Sequence, residues 1–310
     1  MGSTPLHPDL AALNRSMVKL RAVVPEDAFT ARILGSERTG SGVVINADGL
    51  VLTIGYLITE ASDVWLTVQH GREIAGHALA YDQVTGFGLV LPLQRLDVPA
   101  LPFGSSADLA AGAGAHVLSY REFAEPFATK VSARREFAGA WEYLLEEAIF
   151  TVPAHSRWSG AALIDGTGGL VGLGSLLVRE TVGGEEINAN MFVPVDLLKP
   201  ILGDLIERGR AARLARPWLG IYAAEARGQV FVTGVVNGGP AHRADIREGD
   251  RIDRVAEQQV STLPEFYRRI WAMGPAGTGI PLTRSRDGAR ADVNVRSVDR
   301  AELLKRPPAH

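Results

Sequence analysis

GSGVVINADGLVLT, residues 40–53, decides the fold, because it reads as two β-strands joined by a hairpin. GVVI (42–45) and LVLTI (50–54) are aliphatic, β-favouring runs, and INADGL (45–50) sets Asp48-Gly49 between them. An Asp-Gly pair tolerates the positive φ angles that a tight two-strand turn demands. The same texture extends outward from Met17 to Val178, where DVWLTV (63–68) and LVGLGSLLV (170–178) are separated by Gly, Asp-Gly and Pro signals. Short strands with frequent turns predict an all-β barrel or sandwich. Longer apolar-periodic stretches interrupt this half only twice. Trp141 to Ala148 reads either as a helix or as an acid-rich loop, and VDLLKPILGDLIER (195–208) reads as an amphipathic helix closing the region.

Beyond residue 215 the rhythm changes. GQVFVTGVV (228–236), the turn GGPAHRA (238–244) and LPEFYRRIWAMG (263–274) give strand, turn and helix between Pro217 and Ser297, so two domains are expected. Leu263, Phe266, Ile270 and Met273 recur at three- and four-residue spacing, which marks the helix face turned towards a core or the rim of a groove. Pro264 suits the first helical turn.

Composition removes several function classes. A chain of 310 residues that is 46% hydrophobic and 22% charged belongs with soluble globular proteins. It has no cysteine, so thiolate nucleophiles, disulfides and Cys-based zinc sites are excluded. No His-x-x-x-His or mixed carboxylate spacing suggests a metal, and no cofactor is expected. The formal charge of −3 gives no reason to expect nucleic-acid binding, and the Arg-rich stretch from Arg208 to Arg216 reads as a solvated linker. The longest apolar runs fall short of a membrane helix, and residues 1–15 have neither a basic start nor an apolar run. The expected location is therefore the cytoplasm, or the periplasm if Met1-Gly2-Ser3 stands in place of a removed export signal.

Four segments in order resemble the HtrA family of trypsin-like serine proteases: GSGVVINADGLVLT (40–53), SGAALIDGTGGLVGLGSLLV (159–178), MFVPVDLLKPILGDLIERG (191–209) and RPWLGIYA (216–223). The resemblance implies a mostly β fold with few helices, a trypsin-like double β-barrel over residues 16–210 followed by a PDZ domain over residues 217–300. Tails at 1–15 and 301–310 and a linker at 211–216 complete the expected division.

Carried over residue by residue, the family's catalytic pattern is altered. Its Thr-x-x-His-Val-Ile motif falls on Thr53-Ile54-Gly55-Tyr56-Leu57-Ile58, which puts Tyr56 at the general-base position. Gly86 stands where the His-orienting Asp belongs. Ser159 keeps the nucleophile position, while Arg157 replaces a glycine whose backbone freedom serves the oxyanion hole. Loss of the base of such a triad costs on the order of a million-fold in turnover, or roughly 8 kcal/mol of barrier. The expectation is a pseudoprotease. His155, four residues before Ser159, is the one alternative base near in sequence, although an extended chain can hold it up to about 13 Å away. His77 and His242 read as ordinary histidines.

PDZ domains add a peptide as a strand to a sheet edge and hold its terminal carboxylate with backbone N–H groups. By resemblance the carboxylate loop falls on Trp218-Leu219-Gly220-Ile221, with Phe266 and Ile270 as the helical wall opposite. The implied partners are unfolded segments or C-termini of proteins, with no nucleic acid and no membrane. Two other readings stay open at this stage: an active serine endopeptidase using Ser159 with a non-standard base, and a structural subunit of an HtrA-type oligomer, either a homotrimer or a co-assembly with an active relative. Glu142, Glu146 and Glu147, beside Trp141 and Tyr143, form an acidic cluster that reads as a solvated face or a recognition loop.

Overall fold

The computed structural model describes residues 10–120, 126–182 and 184–305. Among these the chain forms two compact units. The first runs up to Arg135, resumes over Glu147–Ala212 and takes in the segment from Leu304; the second consists of Glu136–Glu146 and Arg213–Leu303. The expected continuous block 16–210 is therefore interrupted, because Glu136–Glu146 pack with the second unit. Of the expected tails, residues 1–9 and 306–310 lie outside the described residues.

The first unit holds two closed β-barrels. Strands β1 (Met17–Val23), β2 (Glu37–Val44), β3 (Val51–Ile54), β4 (Asp63–Thr67), β5 (Glu73–Tyr81) and β6 (Phe87–Pro92) close in the order β1-β2-β3-β6-β5-β4. Closure removes free sheet edges and faces alternate residues inward. The register brings Val18, Leu20, Val51, Leu66 and Val90 onto one face, where they are buried with no exposure, while Met17, Leu52, Phe87 and Leu89 are buried on the other. The second barrel comprises β7 (Gly114–Leu118), β8 (Phe127–Gly139), β9 (Tyr143–Val152), β10 (Ala162–Ile164), β11 (Leu170–Val182) and β12 (Glu185–Pro194) in the order β10-β11-β12-β9-β8-β7.

The hairpin that decides the fold is present but its turn differs from the expected two-residue form. Val43 pairs with Leu52 and Val44 with Val51, and the Ile45 N–H donates to the Leu50 carbonyl at 2.9 Å. The loop is thus Asn46–Gly49, with the Asn46 carboxamide accepting the Leu50 N–H at 2.8 Å and Gly49 at φ 85°. A side-chain acceptor at the start of the loop does the work assigned to the Asp-Gly pair.

Two helix expectations are corrected. From Tyr143 the acid-rich segment is strand β9, with Ile149, Phe150 and Thr151 paired to β12, so cross-strand pairing overrides the helical spacing. The closing segment is a short 3-10 turn, Val195–Leu197, followed by an α-helix, Leu202–Arg208. Pro200 lies between them; it has no N–H to donate and disfavours helical backbone at Lys199.

The second unit is a sheet in the order β13-β14-β15-β17-β18, formed by β13 (Ile221–Ala226), β14 (Gln229–Val235), β15 (Arg251–Val255), β16 (Gln258–Gln259), β17 (Gly279–Arg286) and β18 (Ala289–Arg296), with β16 paired to β15. The helix expected over 263–274 is present as Leu263–Ala272, with Met273 as its C-cap. Thr262 caps it by accepting the Glu265 N–H at 3.3 Å, and Glu265 reaches back to the Ser261 N–H at 2.9 Å.

Candidate functional site

In the first unit the three positions of the altered triad come together. Tyr56 sits on the 3-10 turn Gly55–Leu57 directly after β3. That turn is fixed from below by Arg38, whose buried guanidinium donates to the carbonyls of Tyr56 at 2.7 Å and Thr59 at 2.9 Å and to the Thr30 hydroxyl at 2.8 Å. Glu60 completes the anchor by accepting the Thr30 N–H and hydroxyl, both at 2.6 Å. Gly86 lies beside the turn, its carbonyl accepting the Gly55 N–H at 2.7 Å. Where an orienting carboxylate is implied there is only backbone.

Tyr56 Oη lies 2.8 Å from Ser159 Oγ and 2.8 Å from the Ser175 carbonyl oxygen. A phenol has one proton and a carbonyl can only accept, so Tyr56 donates to Ser175 and the Ser159 hydroxyl donates to Tyr56 Oη. Ser175 reaches this position because the β11–β12 register shifts between Gly174 and Leu176. Burial pushes the Tyr56 phenol up to about 12, while hydrogen bonds with Ser159 and Trp158 pull it down to a lesser degree. At neutral pH about one phenol in 10⁵ is then ionised. Ser159 faces a neutral hydroxyl.

His155 takes up a different arrangement. Its Nδ1 accepts the Arg157 N–H at 3.1 Å, its backbone is gripped by the Asn190 carboxamide, and its ring lies edge-on to Phe127 at 5.0 Å. The side chain bonded to Ser159 Oγ is Tyr56. The same turn engages the Arg157 N–H at the position implied for the oxyanion hole, where the donor has to point at the reacting oxygen.

Gly160 holds the serine in place. It has φ 70°, and a Cβ there would sit 1.9 Å from the Ser41 carbonyl oxygen, whose residue also donates its N–H to Ser159 O at 2.8 Å. Gly160→Ala is expected to destabilise the first unit by about 3 kcal/mol or more, since neither the backbone angle nor the space accepts a side chain. Calorimetry should show its transition moved several degrees lower.

In the second unit the expected carboxylate loop is preformed and occupied. Gly220 has φ 78°, and a Cβ there would meet the Trp218 ring at 2.9 Å, so glycine alone fits. Trp218 pairs with Val298, each donating to the other's carbonyl at 3.1 Å. The N–H groups of Leu219, Gly220 and Ile221 converge on one carboxylate, that of Glu142: 3.1 Å from Leu219 to Oε2, 2.7 Å from Gly220 and 2.9 Å from Ile221 to Oε1. Glu142 is 5% exposed, which corrects its reading as part of a solvated face. Burial pushes its carboxyl up to about 7 against the pull of those N–H groups and of the Arg300 charge. Phe266 and Ile270, expected as the helical wall opposite this loop, are fully buried in one apolar cluster with Leu219, Ile221 and Leu144. The sequence signal for Glu142 was its acidic neighbourhood, which does not tell one carboxylate from the next. Among the described residues no group of His, Asp and Glu could hold a metal ion.

Comparison with known proteins places these sites in context. Residues 40–173 match the trypsin-like peptidase domain family and residues 217–296 the PDZ domain family. A Haemophilus influenzae protein named "Probable periplasmic serine protease do/HhoA-like" is 28% identical over 278 residues, covering 83% of this chain and 57% of its own length. The "Periplasmic pH-dependent serine endoprotease DegQ" of Escherichia coli is 25% identical, with 84% and 59% covered. The chain thus spans a little over half the length of these relatives. Among solved structures, the HtrA-type protease AlgW with decapeptide aligns at TM-score 0.56 and 20% identity over 96% of this chain and 98% of that one. The serine endoprotease from Yersinia pestis aligns at TM-score 0.54 and 23% identity, covering 93% and 96%. These structures share the fold.

Proposed function

Since the chain joins a trypsin-like peptidase domain to a PDZ domain in the manner of the HtrA family, we propose that it is a peptide-binding member whose serine site does not hydrolyse peptides. The observation that carries this reading is the 2.8 Å contact between Ser159 Oγ and Tyr56 Oη. A serine nucleophile needs a base to take its proton as it attacks. Tyr56 cannot serve as that base, being neutral and already donating to Ser175, and Gly86 has nothing with which to orient a replacement. What remains is the PDZ half, with a preformed nest suited to a carboxylate and β13 at the edge of its sheet for strand addition.

The names of the relatives favour the second reading, a serine endopeptidase acting through Ser159. The two readings part on a single assay. Incubated with unfolded casein, the purified chain is expected to leave it intact over hours under conditions in which an HtrA-type endoprotease degrades it. Cleavage that disappears in Ser159→Ala would establish the endopeptidase reading instead. For the binding half, peptides with a free C-terminus should show saturable binding that Gly220→Glu abolishes, because a side chain at Gly220, at φ 78°, collides with Trp218 and Val236 and distorts the nest.

Candidate partners are therefore unfolded segments or C-termini of other proteins. The relatives are named as periplasmic, which favours that compartment over the cytoplasm expected from residues 1–15. Among the described residues no helix is long and apolar enough to cross a membrane. Assembly with itself or with an active relative belongs to the same proposal, and mass measurement of the chain alone and mixed with such a relative tests it.

A further inference from the structure

The nest that would hold a peptide's terminal carboxylate is filled by the chain itself, and we infer that residues 139–144 are a built-in ligand of the PDZ domain, with Glu142 in place of the C-terminal carboxylate. An external C-terminus then binds only by displacing this hairpin tip. The inference rests on reading the second unit as a peptide binder and adds how that site is regulated.

Four observations within the second unit carry it. Three consecutive backbone N–H groups meet the Glu142 carboxylate, the arrangement by which such a nest takes an anion. Two residues along from Ile221, the Ala223 N–H donates to the Ala140 carbonyl at 3.0 Å. Residues 221 and 223 face the same edge of β13, so the tip joins that edge through its backbone as an added strand would. Leu144 buries its side chain in the apolar cluster of Leu219, Ile221, Phe266 and Ile270, as the apolar anchor of a peptide would. Finally, the helix opposite grips the tip: Tyr267 donates to the Gly139 carbonyl at 2.8 Å, and the Arg268 guanidinium is paired with both Glu136 and Glu146, one on each arm.

The turn itself marks Glu142 as chosen for its carboxylate. It closes a three-residue loop, Ala140–Glu142, and its φ is 57°, the left-handed region in which such loops usually place glycine. A glutamate there strains the backbone, and the bonds to the nest offset that strain. Being tethered, the tip competes at a high effective concentration, so a peptide has to bind the open groove well to be seen at all.

The test uses the full chain and two variants. Glu142→Gly removes the carboxylate while suiting the turn's φ, and Arg268→Ala loosens both arms while leaving nest and groove untouched. The probe is a pool of fluorescein-labelled decapeptides ending in Val, Ile, Leu or Phe, with free carboxylate or amidated ends. Both variants are expected to bind the free-carboxylate pool at least tenfold more tightly than the parent chain, and none to bind the amidated pool. Equal affinity in parent and variants would overturn the built-in ligand and leave the peptide-binding reading standing. If no protein binds either pool, the peptide-binding reading fails, and hydrogen exchange at the Gly220, Ile221 and Ala223 amides decides the rest. Protection lowered tenfold or more in Glu142→Gly upholds the docked tip, and unchanged protection rejects it.

Discussion

A double variant, Tyr56→His with Gly86→Asp, is expected to gain fluorophosphonate labelling at Ser159 that the parent chain lacks, with a rate increase of at least about a hundredfold. The turn that would carry the base is already in place, with residue 86 beside it. Tyr56 leaves β3 on a turn held by Arg38, and Gly86 lies one hydrogen bond from that turn, so a base and its orienting acid would enter a prepared frame. A positioned general base contributes typically 10² to 10⁴ in rate. The lower end applies, because the Arg157 N–H is still bonded to His155 Nδ1 and the oxyanion hole is incomplete. Aspartate tolerates the φ of 84° at residue 86 better than most residues, at a cost of about 1–2 kcal/mol. Mass spectrometry of the labelled peptide gives the site. If the double variant folds and remains unlabelled, the missing base is not what silences Ser159.

The docked hairpin tip should loosen as pH rises. An undocked glutamate has its ordinary value near 4.5, whereas the docked Glu142 is pushed up to about 7, first by burial. The docked form therefore binds the proton more tightly. Its contribution to docking is complete below about pH 4.5 and is lost as pH rises through about 7. The docking constant is expected to fall by roughly two orders of magnitude over that window. The charged and titratable groups around the tip are Arg300, Tyr267, Arg268, Glu136 and Glu146, and each is retained in Glu142→Gln. Protection factors of the Gly220 and Ile221 amides, compared at pH 5 and pH 8, should drop in the parent chain and change far less in Glu142→Gln. A slope equal in both proteins would assign the effect to another group, His242 included.

The fold was legible because strands and turns declare themselves locally. Residues 40–53 show β-favouring runs on either side of a turn signal, and the pairing of Val43 with Leu52 follows from them. Resemblance placed Tyr56, Gly86 and Ser159 in one site, and the structure gathers them there. What the sequence could not give was where a side chain points after its neighbours have packed. Glu142, Glu146 and Glu147 look alike in the chain, yet Glu142 is buried on three N–H groups while Glu147 forms an exposed pair with Arg134. Nothing in local spacing separates them, because the difference arises from contact with residues 219–221, far along the chain. The broken helix at 195–208 was a simpler miss. Pro200 marks the break in the sequence, and the apolar spacing around it masked the signal.

Whether Ser159 has a base is read most directly from the intact mass of the parent chain after prolonged exposure to a fluorophosphonate at neutral pH. A serine without a base leaves the mass unmodified while an active serine endoprotease treated alongside is fully labelled. A single adduct on Ser159, absent from Ser159→Ala, would contradict the absence of a base.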